Sequence, residues 1–471
     1  MTHHIAVDIG ASSGRLMLGQ VQDQRLMLRE LHRFPNGLVR QGEAHHWDID
    51  GLIHEILLGL QKAKQQGINH CTLAIDTWAV DYVLVGADGH KLKEAVAYRD
   101  RRTEGMMATL AKELPLAEHY DHTGIQFLTF NTIYQLAAET TESLTQAQQI
   151  LLIPDYIGYV LTGQGVSEYT NATTTAMVDH RSGTWHPKLL AMAGVRRDQF
   201  PPLVQPGHLL GPLLSTWAER YDLPECQVYV AATHDTASAV LAVPVTETKP
   251  FAYISSGTWS LLGTENSHAV TTPAALAANY SNEGGAFGTY RFLKNIMGLW
   301  LIQEVRRLWQ ETTGEAVSFD QLVHLAEQEP GGQFLIDAND PCFLNPPDMI
   351  TAIQTHCTTQ GKPAPQTLGQ LARCVFDSLA LCYQQGVHEL EQLTGQSLDT
   401  LYIIGGGSQN DLLNQLTANA TGKTVVAGPI EATAIGNLLV QLIAIGSLPN
   451  LATGRALVQS SFPLKTFTPM P

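Results

Sequence analysis

Apolar residues gather in short runs over the first 35 positions. Residues 4–8 read as a buried strand, and residues 15–21 and 26–34 as two more strands around the polar turn Gln22-Asp23-Gln24. Between the first two lies Asp8-Ile9-Gly10-Ala11-Ser12-Ser13-Gly14, a turn of small residues. The period then changes. Leu52, Ile53, Ile56, Leu57, Leu60 and Ala63 recur at helical spacing, which predicts a helix over 52–65 stopped near Gly67. Residues 72–75 form a short buried strand before the polar and aromatic run Asp76-Thr77-Trp78-Ala79-Val80-Asp81. Further on, the apolar strand 228–232 leads into His234-Asp235-Thr236 and a helix over 237–242.

The opening pattern has a weak echo. Residues 251–263 again read strand, hydroxyl-rich turn (Ser255-Ser256-Gly257-Thr258), strand. A long helix is predicted over 371–393, then a strand at 400–404 ending in Gly405-Gly406-Gly407, a helix at 412–420, a strand at 424–427 and a helix at 433–445. Strands alternating with helices in both halves predict α/β layers rather than a bundle or a sandwich. The seam is expected at 243–249, with no low-complexity linker, so the halves are expected to pack around a cleft.

Composition narrows the function classes. The 471 residues are 44% apolar, which excludes wholesale disorder. The formal charge of −16 argues against nucleic acid or an anionic membrane as a partner, because phosphate contacts need clustered Lys and Arg. The longest apolar stretch, 438–448, is interrupted by Gln441 and too short to span a bilayer. Residues 1–5 hold no basic stretch followed by an apolar run, so no secretory signal and a cytoplasmic location are expected. Six cysteines without a CxxC pair suit reduced thiols. Cys357 and Cys374 bracket a Gly/Pro loop and could pair if oxidised.

Gly10-Ala11-Ser12-Ser13-Gly14 matches G-x-S-x-G, but a nucleophile elbow needs a helix after the serine, and a strand follows here. A Gly/Ser hairpin beside a carboxylate and an Arg instead suits an anionic phosphate held by backbone N–H groups, with a metal ion at Asp8. An empty hairpin is the plain alternative, and the second turn tilts the choice towards a gripped phosphate chain. Thr417 stands where a Walker A motif ending at Gly422-Lys423-Thr424 would need its first Gly. Gly405-Gly406-Gly407 lacks G-x-G-x-x-G spacing, and serves either as a tight turn or as bare backbone for a base or sugar. Asp235 is either a helix cap or a carboxylate placed to take a proton from an attacking hydroxyl. No HExxH or paired spacing supports a resident zinc.

These runs occur in the order seen in the FGGY carbohydrate kinases, which the chain resembles over almost its whole length, most closely the branch acting on L-rhamnulose. The resemblance rests on Asp8–Arg15, Asp76-Thr77-Trp78, Asn171-Ala172-Thr173-Thr174-Thr175, His234–Val240, Ser255–Ser260 and Lys294–Trp300. It implies two actin-like (ribonuclease H-like) α/β domains, residues 1–244 and 245–471, with ATP and sugar in a central inter-domain cleft that excludes water on closing. It implies Asp235 as general base towards the sugar's 1-hydroxyl and Asp8 with Asp235 as holders of Mg²⁺. Ala11, Ser12, Ser13, Gly14 and Arg15 would form the first phosphate loop and Thr258 the second. Asn295, Gln303, Gly405, Gly406 and Asn410 would face the nucleotide, and Ala79, His234 and Thr236 the sugar. Ala79 departs from the Gly common in that branch. The competing expectations are a kinase for L-fuculose, xylulose or another polyol, a noncatalytic sugar-binding regulator, and an actin-like chaperone or filament. Asp8 and Asp235, both present, favour a kinase over the regulator, and the His-Asp-Thr segment and the acidic charge without a polymer-like repeat give the chaperone or filament no support. No obligate protein partner is expected.

Overall fold

The computed structural model describes residues 3–42, 44–247 and 249–470; Met1, Thr2, Glu43, Pro471 and, within the expected seam, Thr248 lie outside it. The main strands are β1 (His3–Ile9), β2 (Ser13–Gln22), β3 (Arg25–Pro35), β4 (His70–Thr77), β5 (Leu209–Pro212), β6 (Glu225–His234), β7 (Ala252–Ser256), β8 (Trp259–Asn266), β9 (Tyr290–Met297), β10 (Thr400–Ile404), β11 (Thr424–Ala427) and β12 (Lys465–Phe467). By packing, the chain forms two units. The first takes Met1–Thr246, Asn266–Phe292 and Ala432–Ser461; the second takes Glu247–Glu265, Leu293–Glu431 and Phe462–Pro471. Each unit is therefore assembled from segments distant in sequence.

In the first unit, six strands run in the order β5-β6-β4-β1-β2-β3. β1, β2 and β3 are an antiparallel meander, while β4 and β6 join β1 in parallel. Ile5, Val7 and Ile9 of β1 and Leu73 and Ile75 of β4 point into one core with Ile53, Ile56, Leu57 and Leu60 of the helix Ile49–Gln65. That helix starts three residues before the apolar periodicity does, because the Asp48 carboxylate caps it by accepting from the Gly51 N–H at 2.9 Å.

In the second unit, β7 pairs antiparallel with β8 and parallel with β10, β10 runs parallel to β11, and β12 closes the edge antiparallel. The helix Leu368–Thr394 also outruns its predicted span. A Thr367/Gln370 capping box starts it, and Gly395, at φ +68°, ends it.

All six cysteines are free thiols. Cys357 and Cys374 lie within hydrogen-bonding reach, and Cys71 and Cys226, which face each other across β4 and β6, have sulfurs 3.0 Å apart. Among the described residues, no helix is long and apolar enough to cross a membrane.

Candidate active site

β6, β4 and β1 lie side by side and parallel, so their carboxyl ends meet at one edge of the first sheet, where ligands collect in α/β folds. Asp8 stands directly opposite Asp76 in the ladder, His234 stands opposite Thr77, and Asp235 follows at once. Three carboxylates therefore share one edge. Asp76 is fully buried. Its Oδ2 accepts from Asn437 Nδ2 at 2.6 Å, while its Oδ1 has no hydrogen-bond partner among the described residues. Burial first, and the Asp8 charge second, push its pKa well above the ordinary range, against the pull of Asn437.

Asp235 opens the helix Asp235–Leu241, and His234 supplies the extended cap residue before it. Asp235 is thus not the capping residue. Its Oδ1 accepts from the N–H of the next residue, Thr236, at 2.5 Å and from the Thr236 hydroxyl at 3.2 Å. Desolvation of the carboxyl raises its pKa, His234 opposes this, and the Asp8 charge adds to the rise. The side chain nevertheless keeps 32% of its surface open, enough for a hydroxyl to approach.

Arg15 faces Asp8 across the first hairpin and donates to Asp8 Oδ2 from Nη2 at 2.8 Å and Nε at 3.1 Å. The turn itself is closed by Gly10 N–H to Ser13 C=O at 2.9 Å and braced by Asn36, which donates to the Ser12 and Gly10 carbonyls. Ala11 and Ser13 are half-buried and Ser12 is exposed. Gly14 is required by Phe34, whose ring would lie 2.3 Å from an added Cβ. β2 follows the serines as a strand, so the nucleophile-elbow geometry is absent here.

Behind Asp235 sits a buried polar frame. His234 Nδ1 lies 3.2 Å from Glu283 Oε2 and 3.2 Å from Arg291 Nη2, and Arg291 pairs with Glu283 at 3.0 Å. Burial works against the charge on Glu283, but Arg291 and His234 outweigh it and hold its pKa below the ordinary value. Glu168 caps the helix Tyr169–Thr174 through the Thr170 and Asn171 N–H groups. It also accepts from the Thr233 N–H and hydroxyl, at 3.0 and 2.8 Å. The Asn-Ala-Thr-Thr-Thr run is thereby anchored to the strand that delivers Asp235.

The loop after β4 is fixed by one carboxylate. Asp81 accepts from the indoles of Trp47 and Trp78, the Tyr98 N–H and Gln135. Burial pushes its pKa up to about 6 in spite of these donors. Val80 is held at φ +68°, and its carbonyl takes the Thr132 hydroxyl at 2.7 Å. Half-buried Ala79 sits in this braced loop, three residues beyond Asp76.

In the second unit, the turn at Gly257 and Thr258 and the triple glycine come together around Ser256. A Cβ on Gly407 would lie 1.9 Å from Ser256 Oγ, and one on Gly405, at φ +85°, 3.0 Å from the Ser256 carbonyl; a Cβ on Gly406 meets nothing within 4 Å. The Gly257 and Thr258 carbonyls accept from the Leu299 and Trp300 N–H groups, which ties the turn to the helix Trp300–Thr313 carrying Gln303. Asn295 lies on β9 and Asn410 caps the helix Asp411–Thr421.

Sequence reasoning missed Asp76 as an acidic partner of Asp8, and missed Asn437, Glu168, Glu283 and Arg291. The available signal was thin: Asn437 and Gln441 are polar residues four apart in a helix, Ala432–Ala444, that is apolar apart from them and Thr433.

A model of the FGGY family of carbohydrate kinases, N-terminal domain, matches residues 3–242, and the C-terminal domain model of the same family matches residues 252–445. A rhamnulokinase of Bacillus subtilis (strain 168) is 49% identical over 466 residues, spanning 99% of this chain and 95% of that protein. A rhamnulokinase of Lactiplantibacillus plantarum is 48% identical over 469 residues, spanning 100% and 95%. A ligand-bound xylulose kinase from Lactobacillus acidophilus superposes with a TM-score of 0.79 at 16% identity, covering 100% of this chain and 94% of that structure. Plasmodium falciparum glycerol kinase with ADP gives 0.79 at 13% identity, with the same coverage. The fold is the two-domain actin-like ATPase fold of these sugar kinases.

Proposed function

The chain belongs to the FGGY family of carbohydrate kinases, and from that premise we propose that it transfers the γ-phosphoryl group of ATP to the 1-hydroxyl of L-rhamnulose. The products are L-rhamnulose 1-phosphate and ADP, and the setting is rhamnose catabolism in the cytoplasm. The protein is a phosphotransferase that uses ATP with a divalent metal. The near full-length similarity to rhamnulokinases supports the choice of sugar.

The observation that carries the chemistry is the reachable carboxyl of Asp235 beside two further carboxylates at the strand ends. Asp235 takes the proton of the 1-hydroxyl while that oxygen forms its bond to the γ-phosphorus and the bond to the ADP oxygen breaks. A carboxylate raised above its usual pKa is a better base for an alcohol near neutral pH. Phosphoryl transfer asks mainly for positioning and charge stabilisation. Arg15 and the backbone of Ala11–Gly14 steady phosphate oxygens, and Thr258 does the same from the second turn. Gly405, Gly406, Asn295, Gln303 and Asn410 contact the nucleotide, with glycines where bare backbone can approach a flat base. His234, oriented by Glu283 and Arg291, positions the sugar with Thr236 and the Ala79 loop.

The residues present fit Mg²⁺: among the described residues Asp76 Oδ1 is a buried acceptor without a hydrogen-bond partner, next to Asp8, a combination that a cation relieves. Asp8 and Asp235 would hold the ion, which when bound neutralises charge on the phosphate oxygens.

A panel of ketoses and polyols with ATP-coupled detection tests the reading. The expected outcome is the highest kcat/KM with L-rhamnulose, and Ala79→Gly lowering ketose KM by about tenfold, the low end of the scale for one methyl group. Preference for L-fuculose or xylulose overturns the substrate.

A further inference from the structure

Outside the acidic edge, the first unit gathers two imidazoles and a carboxylate that the kinase chemistry does not use. His122 lies in the last turn of the helix Leu116–Thr123, Asp179 ends the short strand Val178–Asp179, and His186 caps the helix Pro187–Met192. The strand pairs with Thr184–Trp185, so that Asp179 faces Thr184 and His186 follows two positions on. One ligand atom from each of the three residues lies within 4.8 Å of the others, and all three residues are half-buried. His122 Nδ1 is 3.2 Å from Asp179 Oδ2, and the two imidazole centroids are 4.2 Å apart. From this arrangement we propose that His122, Asp179 and His186 bind one divalent transition metal ion, of which zinc is the representative.

A His–Asp pair accounts for one of these contacts but not for a second imidazole turned into the same space. Two nitrogens and one carboxylate oxygen are a common three-ligand set for zinc, with water at the fourth position. Bonds of about 2.0–2.1 Å place tetrahedral ligand atoms roughly 3.4 Å apart, so small side-chain rotations close the present spacing. The carboxylate is already oriented: Asp179 Oδ1 accepts from the Arg181 and Ser182 N–H groups at 3.0 and 2.9 Å, which leaves Oδ2 towards His122. His186 Nδ1 is only loosely engaged, by the Leu189 N–H at 3.4 Å. The nearby cations are neutralised, Arg181 by Asp121 at 2.6 Å and Lys188 by Glu118 at 3.3 Å. A bound ion would clamp two helices and a hairpin that no disulfide joins.

The test uses the full-length protein, stripped of metal and held in excess Mg²⁺ so that the acidic edge is not counted. Zn²⁺ is titrated by calorimetry, and Co²⁺ serves as a visible-spectrum substitute. The wild type is expected to take up one Zn²⁺ per chain and to give the intense visible bands of tetrahedral Co²⁺. His122→Gln and His186→Gln are each expected to weaken that site at least tenfold and abolish the bands. Two variants are used because His186 also caps a helix, and a folded His122→Gln alone decides the matter. No uptake by the wild type at micromolar Zn²⁺, or unchanged stoichiometry and affinity in either folded variant, overturns the proposal.

Discussion

The six-stranded sheet β5-β6-β4-β1-β2-β3 and the seven-stranded sheet β12-β11-β10-β7-β8-β9, which adds the strand Ser281–Gly284 beyond β9, share a path: an antiparallel hairpin, two strands running parallel to its first strand, then an antiparallel edge. What stands at the strand ends differs. The first path ends in Asp8, Asp76 and His234-Asp235; the second in Ser255-Ser256, Gly405-Gly406-Gly407 and Ala427. One repeat concentrates charge that must be desolvated, and the other removes side chains so that backbone is exposed. A shared topology therefore fixes where a site can be built, and the few residues at the strand ends decide whether it handles protons or shape.

That contrast predicts separable defects. The largest belongs to Asp235→Asn, which keeps the fold and removes the base. Turnover should fall by about 10²- to 10⁴-fold with ATP affinity little changed, measured by steady-state kinetics and nucleotide titration. A near-normal rate would mean that the carboxylate edge does not do the chemistry. Gly407→Ala comes next. The new methyl collides with Ser256 Oγ, and overpacking of this kind costs about 1–3 kcal/mol. If the second repeat shapes the nucleotide site, KM for ATP should rise roughly tenfold while KM for the ketose holds. An equal rise in both would erase the division.

The smallest effect runs the other way. Asp76 has a pKa raised by burial, so the folded state holds its proton at pH values where the unfolded chain has released it. Wild-type stability contributed by this group therefore falls as pH climbs above the ordinary aspartate range. Asp76→Asn should raise stability near pH 8 by on the order of 1 kcal/mol, a Tm gain of about 1–2 °C for a chain of this length. The gain should shrink at pH 5, and activity should drop. A loss of Tm at pH 8 would show that the buried charge is not a cost to the fold.

The meander, the parallel strands and both turns are legible from periodicity and small residues, because strand and helix periods act locally. Asp8 and Asp235 are legible for the same reason, as acidic residues at apolar strand ends. Asp76 read only as part of a polar and aromatic run. Its meaning depends on the register that sets it against Asp8, and register is a tertiary fact. Glu283 and Arg291 sit in a stretch with no motif, and acquire their role only by folding against His234. The packing units, too, collect residues 266–292 and 432–461 into the first, which no boundary drawn along the chain can do.

The helix Ala432–Ala444 lies against β1 and β4, with Gly436 so close to Ser238 that an added Cβ would fall 1.7 Å from the Ser238 carbonyl oxygen. Its Asn437 reaches Asp76 across 361 positions of sequence, and Gln441 donates to the Ile5 carbonyl. During synthesis, then, the acidic edge is finished only after residue 437 has left the ribosome. Until that late helix docks, the emerging N-terminal sheet carries an uncovered apolar face and an unanswered carboxylate, a state in which a chaperone has the most to do.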